Sequence, residues 1–171
     1  VKKANDETDA GPEYSLDDQS IERTVVARSL HDIGKIAIPD SILLKSGKLT
    51  NAEYRLMQEH TILGADIINR SKDTFDEDFR SIAADICMFH HERYDGKGYP
   101  LSLEGDQIPI HAQIVGLADV YDALIHQRVY KQAYSSIEAI AMICNGESGV
   151  FNPKLLDCLL KSQHELQDST Q

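Results

Sequence analysis

The sequence predicts an all-α protein, a helical bundle interrupted by one long irregular loop. Apolar residues recur at three- and four-residue spacing over most of the chain. Capping signatures precede several of these stretches, and no pair of alternating segments reads as a hairpin. With 171 residues the chain can build one domain around a contiguous core.

The segment VKKANDETDAGPEY, residues 1–14, is polar and contains Gly-Pro, so it reads as a linker or a truncated upstream helix. The domain proper is expected over 15–161, and residues 162–171 form a polar tail. SLDDQSIERTVVARSLHD opens on a Ser15–Asp18 pair that resembles a capping box. It spaces Ile21, Val25 and Leu30 helically and ends on His31 and Asp32. PDSILLKSGK is short and broken by Gly47. TNAEYRLMQEHTILGADIINR begins with a Thr50–Glu53 capping box and reads as one helix. Leu56, Met57, His60, Leu63, Gly64 and Ile67 share a face of it, turning His60 inward.

DFRSIAADICMFHH aligns Ile82, Ile86 and Phe89, and His90 and His91 close it. From Glu92 to about Ile110 the chain is rich in Gly and Pro without helical period; a stretch this long inside a compact domain is usually functional. HAQIVGLADVYDALIHQ is apolar nearly all round, interrupted by Asp119 and Asp122. SSIEAIAMIC carries a Ser135–Glu138 capping box, and Asn152-Pro153 supplies an N-cap followed by Pro at the first helical position.

Hydrophobic residues at 42% and charged residues at 26% are a globular balance, and no apolar run approaches the length of a membrane span. The chain starts with Val and shows no secretory leader, so it is expected to be a piece of a longer protein. Cys87, Cys144 and Cys158 are odd in number, far apart and never CxxC. They read as small buried apolar side chains in a reducing cytoplasm. A net charge of −11 excludes general attraction to polymeric nucleic acid or anionic lipid. A phosphate ligand would therefore need a local cationic site, which bound metal ions would supply.

Burying a polar side chain is costly without a partner, and several fall at inward or terminal helix positions. Asp119 in IVGLADVYDALI calls for a cation, met either by a Lys or Arg or by a metal. Asp122, one turn away, reads as an outer partner or the mate of an Arg. A lone inward His60 would be an ordinary core histidine bonded to a carbonyl. Taken together, His31, Asp32, His60, His90, His91 and Asp119 form an imidazole–carboxylate set of the kind preferred by Fe, Mn, Ni or Zn. Neighbouring helical residues diverge by about 100°. His31 would then bind one ion while the two oxygens of Asp32 bridge toward a second. Two ions about 3.5–4 Å apart, with a shared water as nucleophile, suit phosphodiester hydrolysis.

HDIGK at 31–35, HHERYDGKGYP at 90–100 and LADVYDAL at 117–124, in this order, resemble the HD-GYP family of metal-dependent phosphodiesterases. The likeness extends from HDIGKIAIPDSILLKSGKLT to RVYK and FNP, over roughly residues 15–160. It implies an HD-type bundle with a long GYP-containing loop that hydrolyses cyclic di-GMP to pGpG, with GMP as a further product. It also implies two or three divalent ions, Fe or Mn first and Ni or Zn next, on His31, Asp32, His60, His90, His91 and Asp119. Lys35, Tyr99, Arg128 and Lys131 match the positions that approach substrate phosphate or guanine. Lys35 and Asp32 would carry the chemistry: Lys35 stabilises developing charge or protonates the leaving oxygen, and Arg128 holds a phosphate with paired donors. DGKGYP would shape a turn that sets Tyr99 over the site.

The likeness implies the output part of a bacterial signalling protein whose sensor or receiver domain is missing here, with the GYP loop available to a signalling partner. Family members commonly carry a Glu and a His on a helix upstream of HD. VKKANDETDAGPEYSLDDQ has no His, so the chain begins after that helix or lacks it. Gln113 stands where Arg is frequent and Asn152 where Asp is frequent. Two alternatives follow: a catalytically weak or inactive cyclic di-GMP-binding or protein-interaction module, and a phosphohydrolase acting on a cyclic GMP-AMP dinucleotide.

Overall fold

A computed structural model of the protein describes residues 16–126 and 133–163. The regular elements among them are helical: α1 (Asp18–Ala27), α2 (Asp40–Leu43), α3 (Asn51–Gln58), α4 (His60–Arg70), α5 (Glu77–Phe89), α6 (Ile110–Ile125), α7 (Ser136–Cys144) and α8 (Pro153–Lys161). Short 3₁₀ turns cover Arg28–Leu30, Ile33–Ala37 and Gly105–Gln107. The all-α expectation holds. None of the described helices is long and apolar enough to cross a membrane. The expectations for residues 1–14, Ser15, Arg128, Lys131 and the end of the tail, 164–171, lie outside the described residues.

Two apolar clusters hold the bundle. One joins Ala27 of α1, Ala65 and Ile68 of α4, and Phe79, Ile82, Ala83, Ile86 and Cys87 of α5 to Val115 of α6. The other joins Leu117 and Leu124 of α6 to Ala139 and Ile143 of α7 and Leu155 of α8. Each fully buried Ile or Leu stabilises the fold by roughly 1.5–3 kcal/mol. Because α6 contributes to both clusters, it fixes the second half of the bundle against the first. It also carries Asp119 to the junction.

The helix starts follow local chemistry. Thr50–Glu53 and Ser135–Glu138 form complete capping boxes, and Asn152 caps α8 with Pro153 in the first turn. The cap of α1 is Asp17, whose carboxylate accepts from the Ser20 N–H at 2.7 Å. Its buried face is Ile21, Thr24 and Ala27, so Val25, expected inside, is 48% exposed.

The helix read as continuous from Thr50 to Arg70 divides at Glu59. His60 Nδ1 donates to Met57 O at 2.7 Å and Thr61 Oγ1 to Gln58 O at 3.0 Å, and such side-chain bonds to the preceding turn disturb a helix ladder. The buried face of α4 becomes His60, Thr61, Gly64, Ala65 and Ile68, while Leu56 turns out to solvent. His60 does point inward, at 1% exposure. Gly34, in the 3₁₀ turn after HD, lies so close to this junction that a Cβ there would collide with the His60 carbonyl oxygen. The HDIGK turn and the start of α4 are therefore in direct backbone contact.

Candidate metal centre

His31 ends the Arg28–Leu30 turn, Asp32 opens the Ile33–Ala37 turn, His60 starts α4, and His90 caps the C-terminus of α5 with His91 next to it. Four element ends thus deliver short side chains to one point. Ligand atoms of Asp32, His60, His90 and His91 all lie within 4.8 Å of one another. His31 and Asp119 flank that group: His31 Nε2 is 3.3 Å from Asp32 Oδ2 and 3.7 Å from Asp119 Oδ1. Of the six predicted metal residues, four form one tight group, with His31 beside Asp32 and Asp119 beside His31.

Backbone carbonyls orient the rings. His60 Nδ1 donates to Met57 O at 2.7 Å, and His90 Nδ1 lies 2.9 Å from Ile86 O and 3.1 Å from Cys87 O. A carbonyl can only accept, so both Nδ1 atoms carry the proton and, in the neutral rings, both Nε2 atoms are bare lone pairs. Those Nε2 atoms are 3.5 Å apart and face Asp32 Oδ1 at 3.4 and 3.9 Å. Asp32 Oδ1 is buried and, among the described residues, has no hydrogen-bond partner. Three acceptors pointing at one another without a proton are repulsive, and buried polar atoms are rarely left so. A cation among them removes the conflict, and the imidazole–carboxylate donor set suits a divalent one.

The titration behaviour agrees. Burial pulls the imidazole of His60 down, that of His90 to about 4 and that of His91 to about 2, so these rings are neutral at neutral pH. Burial pushes the Asp32 carboxyl up, but hydrogen bonds from His31 and Lys35 outweigh it and hold the group well below the usual carboxylate range. His31 moves the other way, raised chiefly by its hydrogen bond to Asp32. The two carboxylate oxygens divide accordingly. Oδ1 faces His60 and His90, while Oδ2 faces His31 and accepts from Lys35 Nζ at 2.6 Å.

Two expectations for α6 change. Asp119 is 37% exposed and not buried, because it sits at the rim of an open cleft of about 630 Å³ that is also lined by Arg28, His31, Leu117, Tyr121 and Leu159. Asp122 is exposed and, among the described residues, pairs with His126 Nδ1 at 3.2 Å. Cys87 is the buried thiol expected, with Sγ donating to Leu30 O at 3.3 Å and burial pushing it up to about 12; Cys144 and Cys158 are half-buried.

The long loop is organised by a residue that the sequence reading passed over. Glu92 is buried at 9% exposure, and its carboxylate accepts from the Leu101 N–H at 2.7 Å and the Leu103 N–H at 3.0 Å. Gly98 runs against the Glu92–Arg93 backbone so tightly that no side chain would fit. Tyr99 then donates its N–H to His91 O at 3.2 Å and stacks its ring on His91, centroids 4.7 Å apart and planes 28° apart. Tyr99 therefore does cover the histidine cluster. The buried acid directly after two histidines was the available signal, since a carboxylate there needs donors and a loop supplies backbone N–H groups. Gln113 and Asn152, the two smaller departures, are partners: Asn152 Nδ2 donates to Gln113 Oε1 at 2.9 Å.

A family profile described as an HD domain matches residues 9–155. The chain is 45% identical over 156 residues to a cyclic di-GMP phosphodiesterase of Vibrio cholerae, covering 88% of this chain and 31% of that protein. It is 41% identical over 155 residues to the cyclic di-GMP phosphodiesterase response regulator RpfG of Xanthomonas campestris, covering 91% and 40%. It is 41% identical over 152 residues to the 3'3'-cGAMP-specific phosphodiesterase 2 of Vibrio cholerae, covering 89% and 28%. The chain belongs to the HD domain family and, by its motifs and these relatives, to the HD-GYP group within it. It spans about a third of the length of these relatives.

Proposed function

We propose that this domain hydrolyses a phosphodiester bond of cyclic di-GMP, opening the ring to pGpG and continuing to GMP, as the cytoplasmic output part of a bacterial signalling protein. The observation that carries this is the convergence of two bare imidazole nitrogens on Asp32 Oδ1, which has no hydrogen-bond partner among the described residues. In this reading His31, Asp32, His60, His90, His91 and Asp119 hold two divalent ions, Fe or Mn first and Ni or Zn next, with a third as an alternative count. Bound there, such ions supply Lewis-acid polarisation of the phosphodiester and a nucleophile drawn from water. The split of Asp32's oxygens, Oδ1 toward His60 and His90 and Oδ2 toward His31, supports a bridging role for it.

The remaining parts belong to the protein. Lys35, held 2.6 Å from Asp32 Oδ2, turns a cation toward the reacting phosphate, where it stabilises charge or protonates the leaving oxygen. Tyr99 packs on His91 and shields that side of the centre from water. Arg128 and Lys131 contact phosphate or guanine from the segment after α6. The names of the relatives support the substrate class.

Purified anaerobically with Fe(II) or Mn(II), the domain should convert cyclic di-GMP to pGpG, and Asp32→Ala should abolish both turnover and stoichiometric metal. Normal metal content without turnover would favour a second reading, a cyclic di-GMP-binding or docking module that engages a signalling partner through the GYP loop. Turnover of cyclic GMP-AMP in preference to cyclic di-GMP would reassign the substrate, and the likeness to a 3'3'-cGAMP-specific relative makes that arm necessary.

A further inference from the structure

We infer that Tyr54 is a base-stacking residue of the same site, holding one purine of the cyclic dinucleotide beside Tyr99. The inference rests on the phosphodiesterase reading above and adds a residue to it. Tyr54 is the fourth residue of α3, a helix in which no residue is buried. The residue is 50% exposed, and its ring meets Tyr99 edge-on, centroids 6.4 Å apart and planes at 75°. Tyr99 has already committed its inner face to His91. A line of aromatic rings therefore runs from the histidine cluster through Tyr99 to Tyr54 at the surface, and Tyr54 is the member with half its area open to a ligand.

The backbone beneath Tyr54 is held firmly. Glu53, immediately before it, donates its N–H to Thr50 Oγ1 at 3.3 Å and accepts from the Thr50 N–H at 2.7 Å. Its carboxylate also takes Lys45 Nζ at 2.6 and 2.8 Å. An exposed tyrosine on an anchored helix start loses little freedom when a flat ligand settles on it. A phosphate held at the metal centre keeps its nucleoside within reach of the neighbouring surface, and a purine stacks on an aromatic face regardless of its exocyclic groups. Tyr54 should therefore serve guanine and adenine alike, leaving discrimination between them to hydrogen-bonding groups.

The test compares the Mn(II)-loaded protein with Tyr54→Leu and Tyr54→Phe. Base–aromatic stacking is commonly worth at least about fivefold in affinity. Tyr54→Leu should raise KM for cyclic di-GMP and for 3'3'-cGAMP by that factor or more, with kcat within about twofold. Turnover of methyl p-nitrophenyl phosphate, a diester without a purine, should stay unchanged. Tyr54→Phe should behave as wild type. A 2-aminopurine cyclic dinucleotide should lose its stacking-dependent fluorescence quenching in Tyr54→Leu and keep it in Tyr54→Phe. Unchanged KM and quenching in Tyr54→Leu, or equal loss of the purine-free diester, would overturn the assignment. If wild type hydrolyses neither diester, the phosphodiesterase reading fails, and the quenching comparison still decides the role of Tyr54.

Discussion

His60 Nε2 lies 3.4 Å from Asp32 Oδ1, and neither atom has a proton to offer the other. The Met57 carbonyl takes the only imidazole proton of His60, and the Asp32 carboxyl is held ionised by His31 and Lys35. Acid would remove such a conflict by protonation, but burial resists charge on His60, His90 and His91. A metal ion satisfies all of these atoms without adding a proton.

The metal-stripped protein should therefore lose stability in mild acid. His90 has a folded pKa of about 4 against its ordinary 6.5, so its contribution is intact above 6.5 and is lost as pH falls from there toward 4. His91, at about 2, and His60 act in the same direction. His31, raised by Asp32, acts oppositely, its contribution being present below 6.5 and lost as pH rises through its folded value. Three groups against one set the sign. Urea midpoints of chelated protein should be lower at about pH 5 than at about pH 7.5. Equal midpoints would mean that these rings are not neutral in the folded state.

Gly34→Ala should be severely destabilising. Its Cβ would meet the His60 carbonyl oxygen and stand 2.5 Å from Gly64 N, both backbone atoms that cannot swing aside. Overpacking of this kind costs typically about 1–3 kcal/mol and more where backbone must move. The same change displaces His60 from Asp32, so metal stoichiometry should fall with the melting temperature. Gly47→Ala, where a Cβ would have nothing within 4 Å, is the matched control and should melt like wild type.

Gln113 and Asn152 should behave as a coupled pair. Gln113 Nε2 donates to Ile108 O at 2.7 Å while its Oε1 accepts from Asn152 at 2.9 Å, and Asn152 Oδ1 accepts from the Lys154 N–H at 2.9 Å. Asn152→Asp removes a donor at a site 3% exposed and sets a carboxylate against the Gln113 oxygen, at a cost of about 1–3 kcal/mol. Adding Gln113→Arg supplies the missing positive partner. A double-mutant cycle in urea should give a favourable coupling of at least about 0.5 kcal/mol. Additive losses would show that the two residues do not sense each other.

Much of this was written locally. The capping boxes at Thr50–Glu53 and Ser135–Glu138 and the Asn152-Pro153 start are codes of three or four residues, and a helix needs nothing more to begin. The candidate metal residues could be picked out from chain order because imidazoles and carboxylates at helix ends demand an explanation wherever they occur. What spacing could not reveal was any contact between distant segments. The break at Glu59, the collision that keeps Gly34 a glycine, the grip of Glu92 on Leu101 and Leu103, the 39-residue gap bridged by Gln113 and Asn152, and the ring of Tyr54 against Tyr99 all arise from packing. Asp119 marks the boundary most clearly. An apolar helix flagged its carboxylate as one in want of a cation, but only the open cleft beside α6 decided that it stands half in water next to His31. Residue identity sets what a side chain requires, whereas the crossing of helices sets which neighbour and how much solvent it receives.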